Sequence, residues 1–363
     1  MPFEPDLIVL DTQAAAHPFT QRVLDALPQA PVVRDQSPEA AVAALQERAL
    51  DVFGAAKRQL ALTTFQGSFL KKCPGLSPGM VCCNYYVVNL IKNCVYDCSY
   101  CFLQDFLQNN PLLTAFVNVE DLLAELDAEF RAHPDRAFRV GTGEVTDSLA
   151  LDDLLPYTDY LVPFFNRQSN AVLELKTKSD CVDNLLKQPN PANVIVSWSL
   201  NPEIIVEQEE VGTPSLLQRL DAARRCSEHG FQVGLHFDPV ILFDGWETAY
   251  QTLIDQVFDH VPGHRLEWIS LGSFRYRPNL KRVMQERHPA TRLLTQEHVA
   301  GADGKFRYLR PLRNHAYDTL RRMIKQRAPD VDVYLCMETK EVWEGVTGHL
   351  PRADESLDRF FDF

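Results

Sequence analysis

The chain has 363 residues, 45% hydrophobic and 23% charged, an ordinary balance for a globular protein, and no apolar run reaches the roughly 18 to 20 residues of a membrane-spanning helix. Its first residues, MPFEPDLIVLDTQ, are acidic and turn polar after four apolar positions, which argues against a signal peptide and for a cytoplasmic protein with no membrane partner. The net charge of −13 hides an asymmetry: from His260 to Asp330 fifteen Lys/Arg stand against six Asp/Glu, a local +9 against −22 elsewhere, and fields set within about 10 Å are not cancelled by distant acids.

In chain order, a small α/β unit comes first. It has a strand at Leu7 to Leu10, a helix near Gln21 to Leu27, a strand at Val32 and Val33, and a helix from Pro38 to Lys57 with Ser37 as its N-cap. Residues 63 to 80 are rich in Gly, Pro and Ser and read as a loop. Strands are then expected at Tyr85 to Ile91, Phe138 to Gly141, Val172 to Leu175, Val194 to Ser199, Phe231 to Phe237 and Leu266 to Leu271. Helices are expected between them at Val119 to His133, Leu151 to Asn166, Val182 to Lys187, Ser215 to Glu228 and Thr248 to His260. Such alternation predicts parallel βαβ crossovers, hence a doubly wound sheet or a full or partial barrel. A hairpin around Asp303-Gly304, a basic helix from His315 to Arg327 and a strand from Val331 to Leu335 complete the chain. The resulting division is an N-terminal α/β extension (1–75), a barrel (76–275) and a C-terminal region with a basic hairpin and helix (276–363).

The polar residues gather where a parallel sheet places its site, at the C-terminal strand ends. NCVYDCSYCFLQ (93–104) follows the first strand, GTGEVTD (141–147) the second, Lys176 and Lys178 the third, Ser199 and Asn201 the fourth, and His236 and Asp238 the fifth. Nine cysteines in a chain expected to be cytoplasmic point to metal or redox chemistry rather than disulfides. Cys94, Cys98 and Cys101 leave a metal site one ligand short. Either an iron–sulfur cluster keeps one iron open, or a zinc ion recruits Cys73, Cys82 or Cys83. The segment KKCPGLSPGMVCC (71–83) could itself hold a second metal. GTGEVT is not a dinucleotide fingerprint, because Thr146 stands where glycine or alanine is needed, and no P-loop occurs.

The spacing Cys94-x3-Cys98-x2-Cys101, followed by an aromatic, resembles the signature of radical S-adenosylmethionine enzymes. Beyond that loop, CSYCFLQ, FVNVEDLL (116–123), TKSDCVDNLL (177–186), SLNPEIIVEQEEVGTPS (199–215), GFQVGLHFDPVILFDGWETAY (230–250) and GKFRY (304–308) resemble the spore photoproduct lyase family over roughly residues 85 to 335. The resemblance implies a partial (βα)6 TIM-type barrel. It implies a [4Fe-4S] cluster on Cys94, Cys98 and Cys101, and S-adenosyl-L-methionine on the open iron as the source of a 5′-deoxyadenosyl radical. That radical would reverse a methylene-bridged thymine dimer in DNA, with a donor such as flavodoxin or ferredoxin supplying the electron.

Thr146, Lys178 and Ser199 would contact the S-adenosylmethionine, with Tyr100, Phe102, Asn201, His236 and Asp238 around it, and Glu144 would meet its amino group. Arg275, Lys305, Arg307 and Tyr308 would grip the DNA and help expose the lesion. Two departures stand out. The family carries a hydrogen-donating cysteine after the second strand where this chain has Glu144, and of the two tyrosines that flank the third cluster cysteine only Tyr100 is kept, the other being Phe102. Tyr100 and Glu144 remain catalytic candidates, and Cys181, Cys82 or Cys83 would have to serve as donor. Otherwise the substrate differs, or the chain is a metal-stabilised DNA-binding protein without turnover.

Overall fold

Short apolar runs set the architecture of the chain, for which a computed structural model describes residues 3–75, 77, 79–81, 83–189 and 192–350. Seven strands lie side by side in chain order: β1 (Tyr85–Val87), β2 (Phe138–Gly141), β3 (Ala171–Thr177), β4 (Val194–Ser199), β5 (Gln232–Val240), β6 (Leu266–Ser273) and β7 (Asp332–Leu335). Every neighbouring pair among them is parallel. The sheet curls without closing, and the antiparallel pair Lys71–Lys72 caps its β1 edge, so the fold is an open partial TIM-type barrel. All six residues of β4 and all four of β2 are buried, as expected of parallel strands covered on both faces.

The connecting helices follow local signals. Ser215 and Gln218 form a capping box that starts Leu216–His229, and Gly230, at φ 112°, ends it. Five of the six expected barrel strands form, the first shortens from the expected Tyr85 to Ile91 to Tyr85–Val87 because Ile91–Lys92 pairs into the other sheet, and the terminal strand joins as a seventh. The helix expected over Pro38 to Lys57 divides into Pro38–Gln46 and Val52–Ala56, because the Asp51 carboxylate accepts from Gly54 N–H at 3.0 Å and starts the second helix afresh. The helix expected from Leu151 begins only at Thr158, where Asp152 accepts from the Thr158 N–H at 3.1 Å just after Pro156. Leu185–Lys187 is a single 3-10 turn in place of the expected Val182 to Lys187 helix.

A second sheet holds Val32–Arg34, Leu7–Leu10, Gln59–Thr63, Leu113–Phe116 and Ile91–Lys92, in that order. It draws strands from both sides of residue 75. Its last two strands bracket the cysteine loop, so the N-terminal unit anchors both ends of that loop.

Charges are buried inside the barrel. Arg139 donates to Glu174 at 2.8 and 3.0 Å and to the Tyr334 hydroxyl at 2.8 Å, and its guanidinium lies 3.9 Å from the Trp268 ring centre. Burial alone would raise the Glu174 carboxyl, but Arg139 and His236 hold it well below its ordinary range. Arg139→Met removes the one guanidinium partner of this carboxylate and should cost about 3 to 5 kcal/mol of unfolding free energy, measured by denaturant titration; a loss below about 1 kcal/mol would contradict the buried-pair account.

Candidate cluster and cofactor site

The cysteine loop leaves Ile91–Lys92 through Asn93, which takes a positive φ of 68°. Asn93 donates its side-chain amide to Pro111 O at 2.5 Å and accepts from Cys94 N–H at 2.8 Å, which turns the chain into the loop. The segment Asp97–Cys98 then pairs antiparallel with Glu210–Val211, tying the loop to the chain that follows β4. Cys98 is buried, Cys94 and Cys101 are half-buried, and the three thiols are electrostatic neighbours of one another. Burial, with Asp147 adding to it, pushes the Cys94 thiol up to about 12, and burial likewise drives Cys98 well above its ordinary value. Bound iron would strip these protons, since thiolate is the ligating form.

Beside the thiols lies a buried charge network centred on Glu210, a residue to which sequence reasoning assigned no role. Arg219 Nη1 lies 2.6 Å from Glu210 Oε2, and both side chains are fully enclosed. Asn201 Nδ2 donates to Glu210 Oε1 at 3.0 Å, and the Tyr100 hydroxyl donates to the same oxygen. Asn201 Oδ1 in turn accepts from the Tyr250 hydroxyl at 3.1 Å. Burial opposes the charge on Glu210, yet Lys178 and Arg219 hold its carboxyl below the ordinary range. For Lys178 burial pulls down, while Glu210 and Cys98 raise it above its ordinary value, so it is a half-buried ammonium. Its Nζ lies 5.7 Å from the Tyr100 ring centre. Tyr100, Lys178, Asn201 and the backbone of Ser199, whose carbonyl accepts from Arg219 at 3.2 Å, thus meet around the cysteine loop.

The remaining expected residues divide. Glu144 Oε2 accepts from Asn89 Nδ2 at 2.9 Å at the end of β2. Gly143 must be glycine, since a Cβ there would lie 2.9 Å from Lys176 O and 3.1 Å from Ser148 Oγ, and this close approach sets the 141–147 turn against β3. Thr146 donates to Asp147 O at 3.4 Å, and Asp147 accepts from Lys178 N–H at 2.6 Å. Phe102 turns outward, 48% exposed, with its ring 5.8 Å from that of Phe106. His236 has both ring nitrogens engaged, Nε2 with Glu174 at 2.7 Å and Nδ1 with Ser270 at 2.5 Å, so it braces the barrel interior instead of facing a ligand. Asp238 pairs with Arg275 at 3.0 Å.

The hairpin differs from its expectation. It forms, with Gly304 at φ 73° and Val299–Ala300, Phe306–Arg307 and Arg275–Tyr276 as three short antiparallel strands. Its basic and aromatic residues turn inward, however: Arg307 and Tyr308 are each 2% exposed, Arg307 against Asp303 and Tyr308 accepting from Leu242 N–H. Phe306 and Tyr308 cover the apolar group of Phe274, Tyr276 and Leu280, and on the opposite face Arg307 is enclosed by Asp303 and the Met337 carbonyl. Only Lys305 of the three stays partly open, with Nζ 3.8 Å from Met337 Sδ.

Among the thiols expected to donate hydrogen, Cys181 has Asp153, Asp152 and Asp180 as its acidic neighbours, and Cys82 lies outside the described residues. Cys83 neighbours Cys336, which follows β7 and has Asp238 and Arg275 beside it. Cys336 carried no sequence signal, because only the fold brings it to the strand ends.

The pKa of His236 falls from 6.5 to about 4, chiefly through burial and the nearby Lys176. Between those values the unfolded chain binds a proton that the folded chain refuses, so stability is full above pH 6.5 and falls as the pH drops toward 4. The expected loss is on the order of 3 kcal/mol by pH 4, and His236→Gln should flatten it. An unchanged profile in that variant would contradict the buried neutral imidazole.

The family model for spore photoproduct lyase matches residues 3–334. The spore photoproduct lyase of Geobacillus sp. is 27% identical over 210 residues, 57% of this chain and 62% of the relative, and that of Bacillus subtilis is 25% identical over 214 residues, 58% and 63%. The aligned segments thus span less than two thirds of those relatives. Two solved structures share the fold. A mutant spore photoproduct lyase with bound AdoMet and dinucleoside spore photoproduct has a TM-score of 0.80 at 23% identity, over 94% of this chain and 100% of the other; a spore photoproduct lyase complexed with dinucleoside spore photoproduct has 0.79 at 24%, over 92% and 99%. With a family model matched over most of its length and a barrel whose thiol loop sits at the first strand end, this chain belongs to the spore photoproduct lyase family.

Proposed function

We propose that the chain is a radical S-adenosylmethionine lyase that reverses a thymine-dimer photoproduct in DNA. The observation that carries the reading is the convergence of Cys94, Cys98 and Cys101 on one loop beside a half-buried ammonium, Lys178, at the open end of a partial barrel. The thiols suit a [4Fe-4S] cluster. No three of the described His, Cys, Asp and Glu side chains are close enough to share one ion, whereas a cubane offers separate iron corners to its thiolates. Bound there, the cluster and S-adenosyl-L-methionine would supply a 5′-deoxyadenosyl radical for hydrogen abstraction.

The protein's own part is placement and charge. Lys178 offers an ammonium to the cofactor carboxylate and Glu144 a carboxylate to its amino group. Glu210 holds Tyr100 and Asn201 in place. The relatives in the two solved complexes bind dinucleoside spore photoproduct, which supports a pyrimidine lesion as substrate here. Lys305, partly open on the hairpin, offers a cation to a DNA phosphate, whereas Arg275 is engaged by Asp238. A flavodoxin- or ferredoxin-type donor would deliver the electron, and the reducing cytoplasm is the compartment that keeps such thiols free of disulfides. A second reading, a family enzyme with a different nucleic-acid or small-molecule substrate, is favoured by one observation: the Tyr100 hydroxyl is committed to Glu210, with Glu144 where the family has its donor cysteine.

Anaerobic reconstitution followed by reduction, with S-adenosylmethionine and dinucleoside spore photoproduct present, should yield 5′-deoxyadenosine and repaired thymidine product. Release of 5′-deoxyadenosine without repair would overturn the lyase reading and leave the class standing, and zinc uptake with no iron would overturn the class. Repair that persists in Cys336→Ala but fails in Cys83→Ala would identify the donor thiol, and the reverse pattern would choose Cys336.

A further inference from the structure

The cysteine loop has almost no secondary structure of its own, yet its carbonyls are tightly held. Gln104 Nε2 lies 3.2 Å from Cys98 O, 2.9 Å from Ser99 O and 3.2 Å from Cys101 O, so one side-chain amide gathers the backbone between two cluster cysteines. The carbonyl end of Gln104, itself buried, is gripped by Arg287, which comes 183 residues later, from the helix Pro278–Arg287. The same guanidinium donates to Asp51 at 2.9 and 3.0 Å and to Asp97 at 3.1 and 3.2 Å, while His288 Nε2 sits 3.1 Å from Gln104 Oε1. From the N-terminal unit, Lys57 adds an ion pair to Asp97 at 3.4 Å and donates to Tyr96 O. The Arg287 side chain is only 10% exposed. Three parts of the chain, the N-terminal unit, the loop and the C-terminal region, meet on this one residue.

We propose that Arg287 is a positioning residue for the cluster: acting through Gln104 and Asp97, it fixes the thiol-bearing loop in its ligating shape before iron arrives and locks it to Asp51 of the N-terminal unit. The proposal rests on the reading of the three thiols as cluster ligands. Its physical basis is that an irregular loop gathered only on metal binding would lose backbone entropy at that moment, whereas a loop already closed has lost it during folding. The fork matters as much as the charge, since a guanidinium can meet two carboxylates and an amide at once and an ammonium cannot.

Two variants test it, Arg287→Lys, which keeps the charge and loses the fork, and Gln104→Leu, which frees the loop carbonyls and leaves both ion pairs. Arg282→Lys, on the same helix but in a surface pair with Glu286, is the control. In the metal-free chain, alkylation of Cys94, Cys98 and Cys101, followed by peptide mass spectrometry, should run about tenfold faster in both variants than in the wild type or the control. In the reconstituted chain, iron loss to a chelator should accelerate by a similar factor, about tenfold, with unchanged far-UV circular dichroism. Labelling rates equal to the wild type in both variants would overturn the proposal, and so would equal iron loss. If the wild type takes up no iron, the cluster reading falls, and the labelling rates still decide whether Arg287 shapes the loop.

Discussion

A carboxylate enclosed with no access to water must be answered by the protein, and Glu210 is answered on every side. Arg219, Lys178, Asn201 and Tyr100 all converge on it, from the helix after β4, the end of β3, the end of β4 and the cysteine loop. An unpaired charge there would cost several kcal/mol, so the network assembles together or not at all. The pairing of Cys98 with Glu210 makes the loop part of that assembly. The position of the thiols is thus a consequence of burying one acid, and the chemistry assigned to the site depends on that burial.

The same constraint is repeated deeper in the barrel by Glu174, Arg139 and His236, and outside the loop by Asp51, Asp97 and Arg287. The three networks differ in what they leave available. The Glu174 group consumes all its donors and acts on the fold alone. The Glu210 group leaves an ammonium beside the thiols, which is what a carboxylate-bearing cofactor would need. The Arg287 group spends its donors on backbone shape. In a protein of net charge −13, cations are scarce, and the described structure commits most of its buried ones to holding acids. This is why the basic region from His260 to Asp330 yields fewer solvent-facing charges than its composition suggests: Arg275, Arg287, Arg307 and Arg313 are all tied to carboxylates.

The strands were legible because parallel, doubly covered strands are written as short apolar runs, whereas their order in one curled sheet comes from the structure. The thiol loop was legible because its three cysteines are local, within eight residues. Glu210, Arg287 and Cys336 were not, because each acquires its role from partners far away in sequence, such as the Tyr100 and Glu210 pair 110 residues apart. His236 and Arg307 were misjudged for the same reason, since a polar residue at a strand end or in a hairpin gives no local sign that a buried acid awaits it. Phe102 marks a further limit: an aromatic after the third cysteine reads as cofactor-facing, but the turn that follows Cys101 sends its ring into solvent.

Glu144 stands at the end of β2 and the Tyr100 hydroxyl is bound to Glu210, while the thiols of Cys83 and Cys336 neighbour each other. The central claim is narrower: three thiols leave one iron corner open for a cofactor. Electron–nuclear double resonance on the reduced, reconstituted protein, with S-adenosylmethionine isotopically labelled in its carboxylate and amino groups, tests it directly. The account predicts hyperfine coupling from both labels, and a cluster signal that is unchanged by the labelled cofactor would contradict it.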